Sequence, residues 1–225
     1  MISQPVRESP PGRPTPRYSY ERSPETIYRQ SFATIRSEAD LGGLPEPMRT
    51  VVVRMIHASG DTSLAGQVDH HVELVRATRD ALDGGAPIFT DAKMIAAGIT
   101  RRRLPKDNQI RCLLDDPRVP ELARAWRTTR SAAAVSLWSP DLAGAVVAIG
   151  NAPTALFHLL ELIADGGPRP AAVIGIPVGF VGSTESKLAL AGNPWDLPYL
   201  VVHGRRGGSA LCVAAINALA QESEL

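Results

Sequence analysis

The sequence predicts a single-domain α/β fold: an open, doubly wound, mainly parallel sheet with helices on both faces. Three observations favour it. The 225 residues can bury one sizeable core. The chain is 44% hydrophobic but only 5% aromatic, which indicates a core of Ala, Val, Ile and Leu. From Ala132 onward, apolar runs of strand length without polar alternation are each followed by a helical segment, a pattern typical of parallel strands covered on both faces.

Residues 1–17 predict a disordered tail, because five prolines and scattered charges leave almost no apolar surface to bury. Residues 18–225 form the predicted domain. Its first helix follows Ser23 as the N-cap and Pro24 at the first helical position. A second helix starts near residue 45 and runs to His57. Further helices are predicted at 72–83, 151–165, 183–191 and 209–221, and strands at 86–91, 109–114, 143–150, 171–176 and 198–204.

Loops at the carboxyl ends of the later strands are the predicted binding region, because open parallel sheets bind ligands there. The loops 150–154, 177–187 and 204–210 are rich in Gly, Asn, Ser or Pro at the mouth of a helix. Their backbone N–H groups can therefore face an anion, and Asn151 is placed to cap its helix. Lys187, Arg205 and Arg206 add full charges, which favours a polyanionic small molecule.

Composition excludes several classes of protein. The net charge is only +1, although residues 98–130 carry nine Lys or Arg against four acids, a local +5. This distribution favours an anionic ligand over nucleic acid. No apolar run reaches the roughly 18 residues of a membrane span. Only Cys112 and Cys212 are present, so we expect no disulfide framework and no thiolate metal site, which fits the cytoplasm. Dinucleotide, P-loop, zinc-protease and serine-hydrolase motifs are absent from the sequence.

His57 is the candidate catalytic residue. In the segment "VVVRMIHASGD", helical spacing puts it about 180° from Met48, away from the apolar stripe of Val51, Val52 and Met55. A histidine that titrates near neutrality is the usual general acid or base. Position alone leaves two readings open, catalysis or an ordinary surface or capping histidine.

Seven segments together resemble the precorrin-8X methylmutase family, also called precorrin isomerase, of the cobalamin pathway. They cover residues 18–220 in order: "SFATIRSE", "VVVRMIHASGD", "GAPIFTDAKMIAAGITRRRLP", "TRSAAAVSLW", "GAVVAIGNAPTALFHLLELI", "RPAAVIGIPVGFVGSTESK" and "GRRGGSALCVAAINAL". The resemblance implies a flavodoxin-like fold and an isomerase that moves a methyl group of the corrin ring from C11 to C12, converting precorrin-8X to hydrogenobyrinic acid. It also implies that no cofactor and no metal are used.

The resemblance assigns roles to residues of this chain. It makes His57 the proton donor and acceptor, and it makes Ser31 and Arg54 substrate-binding residues. Five more substrate-binding candidates come from the matching segments, namely Lys93, Arg130, Ser131, Lys187 and Arg205. The implied partners are a corrinoid small molecule and a second copy of the chain, with a homodimer favoured, the site near a subunit interface and a possible hand-over to the next pathway enzyme.

The chemistry of such a substrate agrees with the residues. A macrocycle fringed with carboxylates explains basic residues and helix N-termini around an apolar pocket. A methyl shift needs a proton delivered to a ring nitrogen and rigid holding of the ring. Two alternatives stay open: a corrinoid carrier without turnover, and a nucleotide- or phosphate-using α/β enzyme. The sequence also leaves open whether the substrate contains cobalt.

Overall fold

The computed structural model describes residue 12 and residues 15–221. The predicted disordered tail, residues 1–17, therefore lies largely outside the described residues, as do the last four residues of the predicted domain. Every helix in the described part is too short or too polar to cross a membrane.

A six-stranded sheet forms the centre of the described part, in the order β1-β6-β5-β4-β2-β3. The five strands other than β1 are parallel to one another, and β1 pairs antiparallel with β6. The order of these five is that of a flavodoxin-like sheet, whose topological switch point lies between β2 and β4. The predicted fold class is thus confirmed. The strands are β1 Val68–His70, β2 Ile88–Thr90, β3 Ile110–Arg111, β4 Val146–Ile149, β5 Ala172–Gly175 and β6 Tyr199–Val202.

Helices cover both faces of the sheet because the central strands are apolar on both sides. In β4, Val146 and Ala148 pack into one core and Val147 and Ile149 into the other. The first core includes side chains of α1, α2, α3, α4 and α9, and the second includes those of α6, α7 and α8. The helices are α1 Pro24–Glu38, α2 Glu46–Ser59, α3 Leu74–Asp83, α4 Lys93–Gly98, α5 Val119–Ala125, α6 Arg130–Ser136, α7 Pro153–Ala164, α8 Ser183–Ala191 and α9 Ser209–Leu219.

The ends of the first two helices position the site. Ser23 caps α1 as predicted, since its hydroxyl accepts a hydrogen bond from the Thr26 amide at 3.3 Å. The prediction that α2 ends at His57 is wrong by two residues. The helix continues to Ser59 and stops where Gly60 adopts φ 67°, a left-handed conformation that favours glycine. His57 therefore lies within the last turn of α2.

Candidate active site

The imidazole of His57 is held by a serine of the neighbouring helix. Its Nδ1 lies 2.8 Å from the Ser31 hydroxyl of α1. Two aromatic rings of α1 flank it: the Tyr28 ring at 5.4 Å and the Phe32 ring edge-on at 5.3 Å, centroid to centroid. The His57 side chain is exposed. Because Nδ1 is engaged by Ser31, Nε2 is the ring nitrogen at which His57 can exchange a proton with a ligand.

The periodicity of α2 produces this arrangement. Met48, Val51, Val52 and Met55 are all at most 1% exposed, so the predicted apolar stripe is confirmed. His57 lies on the opposite side of the helix, as the spacing predicted, and faces α1 across it. Helical spacing does not predict that α1 supplies the partner of His57, because α1 and α2 meet only through tertiary packing.

Arg54 lies one helical turn before His57 and is half-buried. Its guanidinium carbon is 5.6 Å from the centre of the Phe32 ring, within the range of a cation–π contact. Phe32, itself 4% exposed, thus contacts both His57 and Arg54. The predicted trio of Ser31, Arg54 and His57 is brought together by this one buried ring.

A cleft opens beside this trio. Its volume is about 270 Å³. We call it the arginine cleft, and its lining residues are Glu25, Tyr28, Arg54, Thr100, Arg102, Arg103 and Asn217. Tyr28 and Arg54 connect it to the surroundings of His57.

A second group of candidates lies at the carboxyl ends of β2 and β3. Lys93 at the start of α4 and Arg130 at the start of α6 both form ion pairs with Asp115, the latter at 3.5 Å. Arg130 also donates to the Leu114 carbonyl at 3.1 Å. Ser131 follows it and is half-buried. Both cations remain exposed although they share one acid, so both are accessible to a ligand.

The third group lies at the carboxyl ends of β5 and β6. Arg205 places its guanidinium 5.1 Å from the exposed Phe180 ring. Lys187 is fully buried, and its ammonium donates to the Arg206 carbonyl at 2.6 Å. Burial lowers the pKa of Lys187 to about 8. Contrary to the expectation that it adds an exposed charge, this lysine supports the loop that carries Arg205.

An opening of about 400 Å³ separates that loop from the end of α2. Its wall combines apolar side chains, among them Leu64, Val178 and Phe180, with Arg205 and with an ion pair between Arg206 and Asp61. This lining suits a flat, mainly apolar ligand with acidic groups at its rim.

The prediction that Asn151 caps α7 is wrong. The N-cap residue is Ala152, with no side-chain cap, and the carboxylate of Asp91 accepts from the amides of Gly150, Asn151 and Ala152 at 3.0, 3.0 and 2.6 Å. Asp91 follows β2, so it joins β2 to the loop after β4 across the switch point. The amides that we expected to face an anionic ligand are already bound to this carboxylate.

Asp91 is the residue that local sequence reasoning missed. The sequence signal was an acidic residue directly after a buried strand. In a doubly wound sheet, such a residue lies beside the loop that follows the neighbouring strand. Burial raises the pKa of its carboxyl, and the three amide hydrogen bonds oppose that rise. Among residues 15–221, no hydrogen bond or ion pair joins the His57 trio to the Lys93 group or the Arg205 group.

Known proteins are similar to this chain over nearly its whole length. The sequence profile of the family described as precorrin-8X methylmutase matches residues 26–222. A precorrin-8X methylmutase of Sinorhizobium sp is 53% identical over 206 residues, covering 92% of this chain and 98% of the relative. One of Pseudomonas aeruginosa is 50% identical over 205 residues, covering 91% and 99%.

A solved structure agrees with the sequence comparisons. The crystal structure of a precorrin-8X methyl mutase from Thermus thermophilus superimposes with a TM-score of 0.79 at 42% identity, covering 87% of this chain and 94% of that one.

Proposed function

This chain belongs to the precorrin-8X methylmutase family, and from that premise we propose that His57 is the proton donor and acceptor of its methyl shift. The enzyme is an isomerase, an intramolecular transferase of cobalamin biosynthesis. The reaction moves one methyl group from C11 to C12 of the corrin ring. The bond to C11 breaks as the bond to C12 forms, so any proton that the enzyme lends must be returned.

The observation that carries the proposal is the hydrogen bond between Ser31 and His57. A serine hydroxyl can both donate and accept. It accepts from Nδ1–H when the imidazole is protonated, and it still accepts from Nδ1–H after Nε2 has given up its proton, so Nε2 is free to take the proton back. Ser31 thus supports His57 in both states, and Nε2 delivers the proton to a ring nitrogen and takes it back.

The remaining predicted site residues are proposed to hold the substrate's carboxylates. Arg54 lies beside His57, Lys93 and Arg130 surround Asp115, and Arg205 lies at the rim of the 400 Å³ opening. Ser131 adds a hydroxyl next to Arg130. Lys187 contributes through the loop that its ammonium holds.

A homodimer is the proposed assembly. Within the described residues of one chain, the Lys93 group and the Arg205 group form no hydrogen bond or ion pair with the His57 trio. A second copy of the chain that brings its own groups to the trio would complete a larger site. Exposed apolar residues are available for such a contact, among them Tyr28 at 41% and Ile27 at 44% exposure on α1. Full activity of a monomer in analytical ultracentrifugation under assay conditions would contradict this assembly.

Metal-free precorrin-8X is the proposed substrate, since both relatives at about half identity carry that name. The cytoplasm is the proposed location, with hand-over of the product to the next enzyme of the pathway. The alternative of a corrinoid carrier without turnover is not favoured by the comparisons.

The test is a turnover assay of the purified protein with precorrin-8X and, in parallel, with its cobalt-containing form. We expect the absorbance spectrum of hydrogenobyrinic acid to develop over many turnovers from the metal-free substrate. Stoichiometric binding without conversion of either substrate would instead establish a carrier.

A further inference from the structure

The arginine cleft is bounded by four segments of the chain. Glu25 and Tyr28 come from α1, Arg54 from α2 and Asn217 from α9, and the turn that contains Thr100, Arg102 and Arg103 closes it. Of three successive arginines in that turn, Arg102 and Arg103 line the cleft and Arg101 does not. The three successive arginines are therefore divided between two environments: Arg102 and Arg103 line the cleft, and Arg101 lies outside it.

The described lining of the cleft is rich in arginine. It contains three arginines and one glutamate. Glu25 is itself paired with Arg29 at 2.5 Å on the exposed side of α1. The pKa of Arg103 is lowered, first by burial and then by the charges of Arg54 and Arg102. Guanidinium groups gathered at one cleft suit a ligand that carries an acidic group.

Asn217 fixes the arginine turn in place. Its side-chain oxygen accepts from the Thr100 amide at 2.8 Å, and its side-chain nitrogen donates to the Gly98 carbonyl at 3.2 Å. Its backbone carbonyl accepts from Nε of Arg103 at 2.9 Å. The two flanks of the turn are thus attached to α9, so the cleft is formed before any ligand arrives and little ordering is needed on binding.

Size decides what part of a ligand fits. Pockets that enclose a whole small molecule usually measure roughly 300–1,000 Å³, and a corrin macrocycle is larger than most such molecules. A cleft of about 270 Å³ holds a side arm instead. Tyr28 both lines the cleft and lies 5.4 Å from the His57 ring, so an arm in the cleft belongs to a ring that lies over His57.

We propose that Arg102 and Arg103 complete, with Arg54, a subsite that binds one carboxylate arm of the corrinoid and so fixes the rotation of the ring above His57. This deepens the proposed function and rests on it. A guanidinium binds a carboxylate through two parallel hydrogen bonds, and two converging guanidinium groups select an acid over an amide or ester at the same position.

Arg101 provides a matched control, since Arg101→Gln removes the same charge one residue away from the cleft. We expect Arg102→Gln and Arg103→Gln each to raise the Kd for hydrogenobyrinic acid by about tenfold or more, as for the loss of a charge-assisted contact. Arg101→Gln should change it by less than about twofold. The measurement is a fluorescence or absorbance titration, with melting temperatures to verify that each variant folds.

Equal affinities of Arg101→Gln and Arg102→Gln would overturn the proposal, because a general positive field would then explain the binding. A free anion would also give a distinct result. If millimolar inorganic phosphate raised the melting temperature of the parent but not of Arg102→Gln, while both bound the corrinoid equally, the cleft would serve phosphate and the proposal would be wrong.

The titration uses the product at equilibrium and needs no turnover. Failure of the parent to convert precorrin-8X would therefore refute the proposed function and leave a difference between Arg101 and Arg102 variants standing. Normal turnover with no such difference would refute only the subsite.

Discussion

Asp91 should be among the most important side chains for the stability of the sheet. It is 3% exposed, and Asp91→Ala would leave three amides without their acceptor. Hydrogen bonds to a charged group contribute about 1.5–3 kcal/mol each, but burying the carboxylate costs several kcal/mol. Since burial also raises the pKa of Asp91, these two terms offset each other in part. We expect a net loss of about 3–5 kcal/mol, the usual result of removing one partner from a buried charged contact.

Urea and thermal unfolding measure this loss. For a chain of this length each kcal/mol shifts the Tm by about 2–4 °C, so Asp91→Ala should lower it by roughly 6–20 °C. Asp91→Asn keeps the shape but turns an NH₂ group toward an amide donor, so it should recover less than half of the loss. Asp107→Ala, an exposed acid, is the control and should stay within about 0.5 kcal/mol of the parent. An Asp91→Ala variant within 1 kcal/mol of the parent, a margin set by those mutational ranges, would refute the reasoning.

Three further predictions concern other parts of the chain. Ser31→Ala should slow the methyl shift on the order of tenfold with little effect on corrinoid affinity, because it removes the hydrogen bond to the His57 imidazole. The control is Ser136→Ala, which breaks the corresponding bond to His158 on the other face of the sheet and should leave the rate unchanged. The lowered pKa of Lys187 means that the unfolded chain binds the lysine proton more tightly than the folded chain does. The free energy of unfolding should therefore rise by up to about 3 kcal/mol between pH 8 and about 10.5 in the parent and not in Lys187→Met. Urea titrations in which both proteins show the same pH dependence would contradict this. Removal of residues 1–17 should leave activity and Tm unchanged, and a Tm lower by several degrees would show that the tail contributes to the fold.

Regular periodicity made much of the fold predictable. The apolar runs at β4, β5 and β6 and the helices after them lie where the sequence predicted them, because their burial on both faces leaves a continuous apolar pattern. Four elements of the described part were missed, namely β1, α4, α5 and α6. β1 has only three residues, all half-buried, and α6 is a short helix in which four successive residues are buried. Neither carries the period of a strand or of an amphipathic helix.

The site was predictable only where it depends on one helix. The position of His57 off the apolar stripe of α2 follows from helical spacing alone. Three other features depend on contacts between distant segments and could not be predicted in this way. They are the hydrogen bond between His57 and Ser31, the binding of Asp91 to the 150–152 amides, and the division of the arginine run between the cleft and the surface. Asn151 was the reasonable local choice for a cap, but a carboxylate some 60 positions away in the chain occupies the amides first.

The central claim, that His57 transfers the proton of the methyl shift, is tested most directly by single-turnover rates of His57→Asn and His57→Ala. His158→Asn is the control, a histidine that also bonds a serine but lies on the other face of the sheet. We expect both His57 variants to bind hydrogenobyrinic acid within a few-fold of the parent and to lose at least about a hundredfold in rate, while His158→Asn keeps its rate. A His57→Asn variant that binds the corrinoid and converts precorrin-8X at the parent's rate would contradict the account.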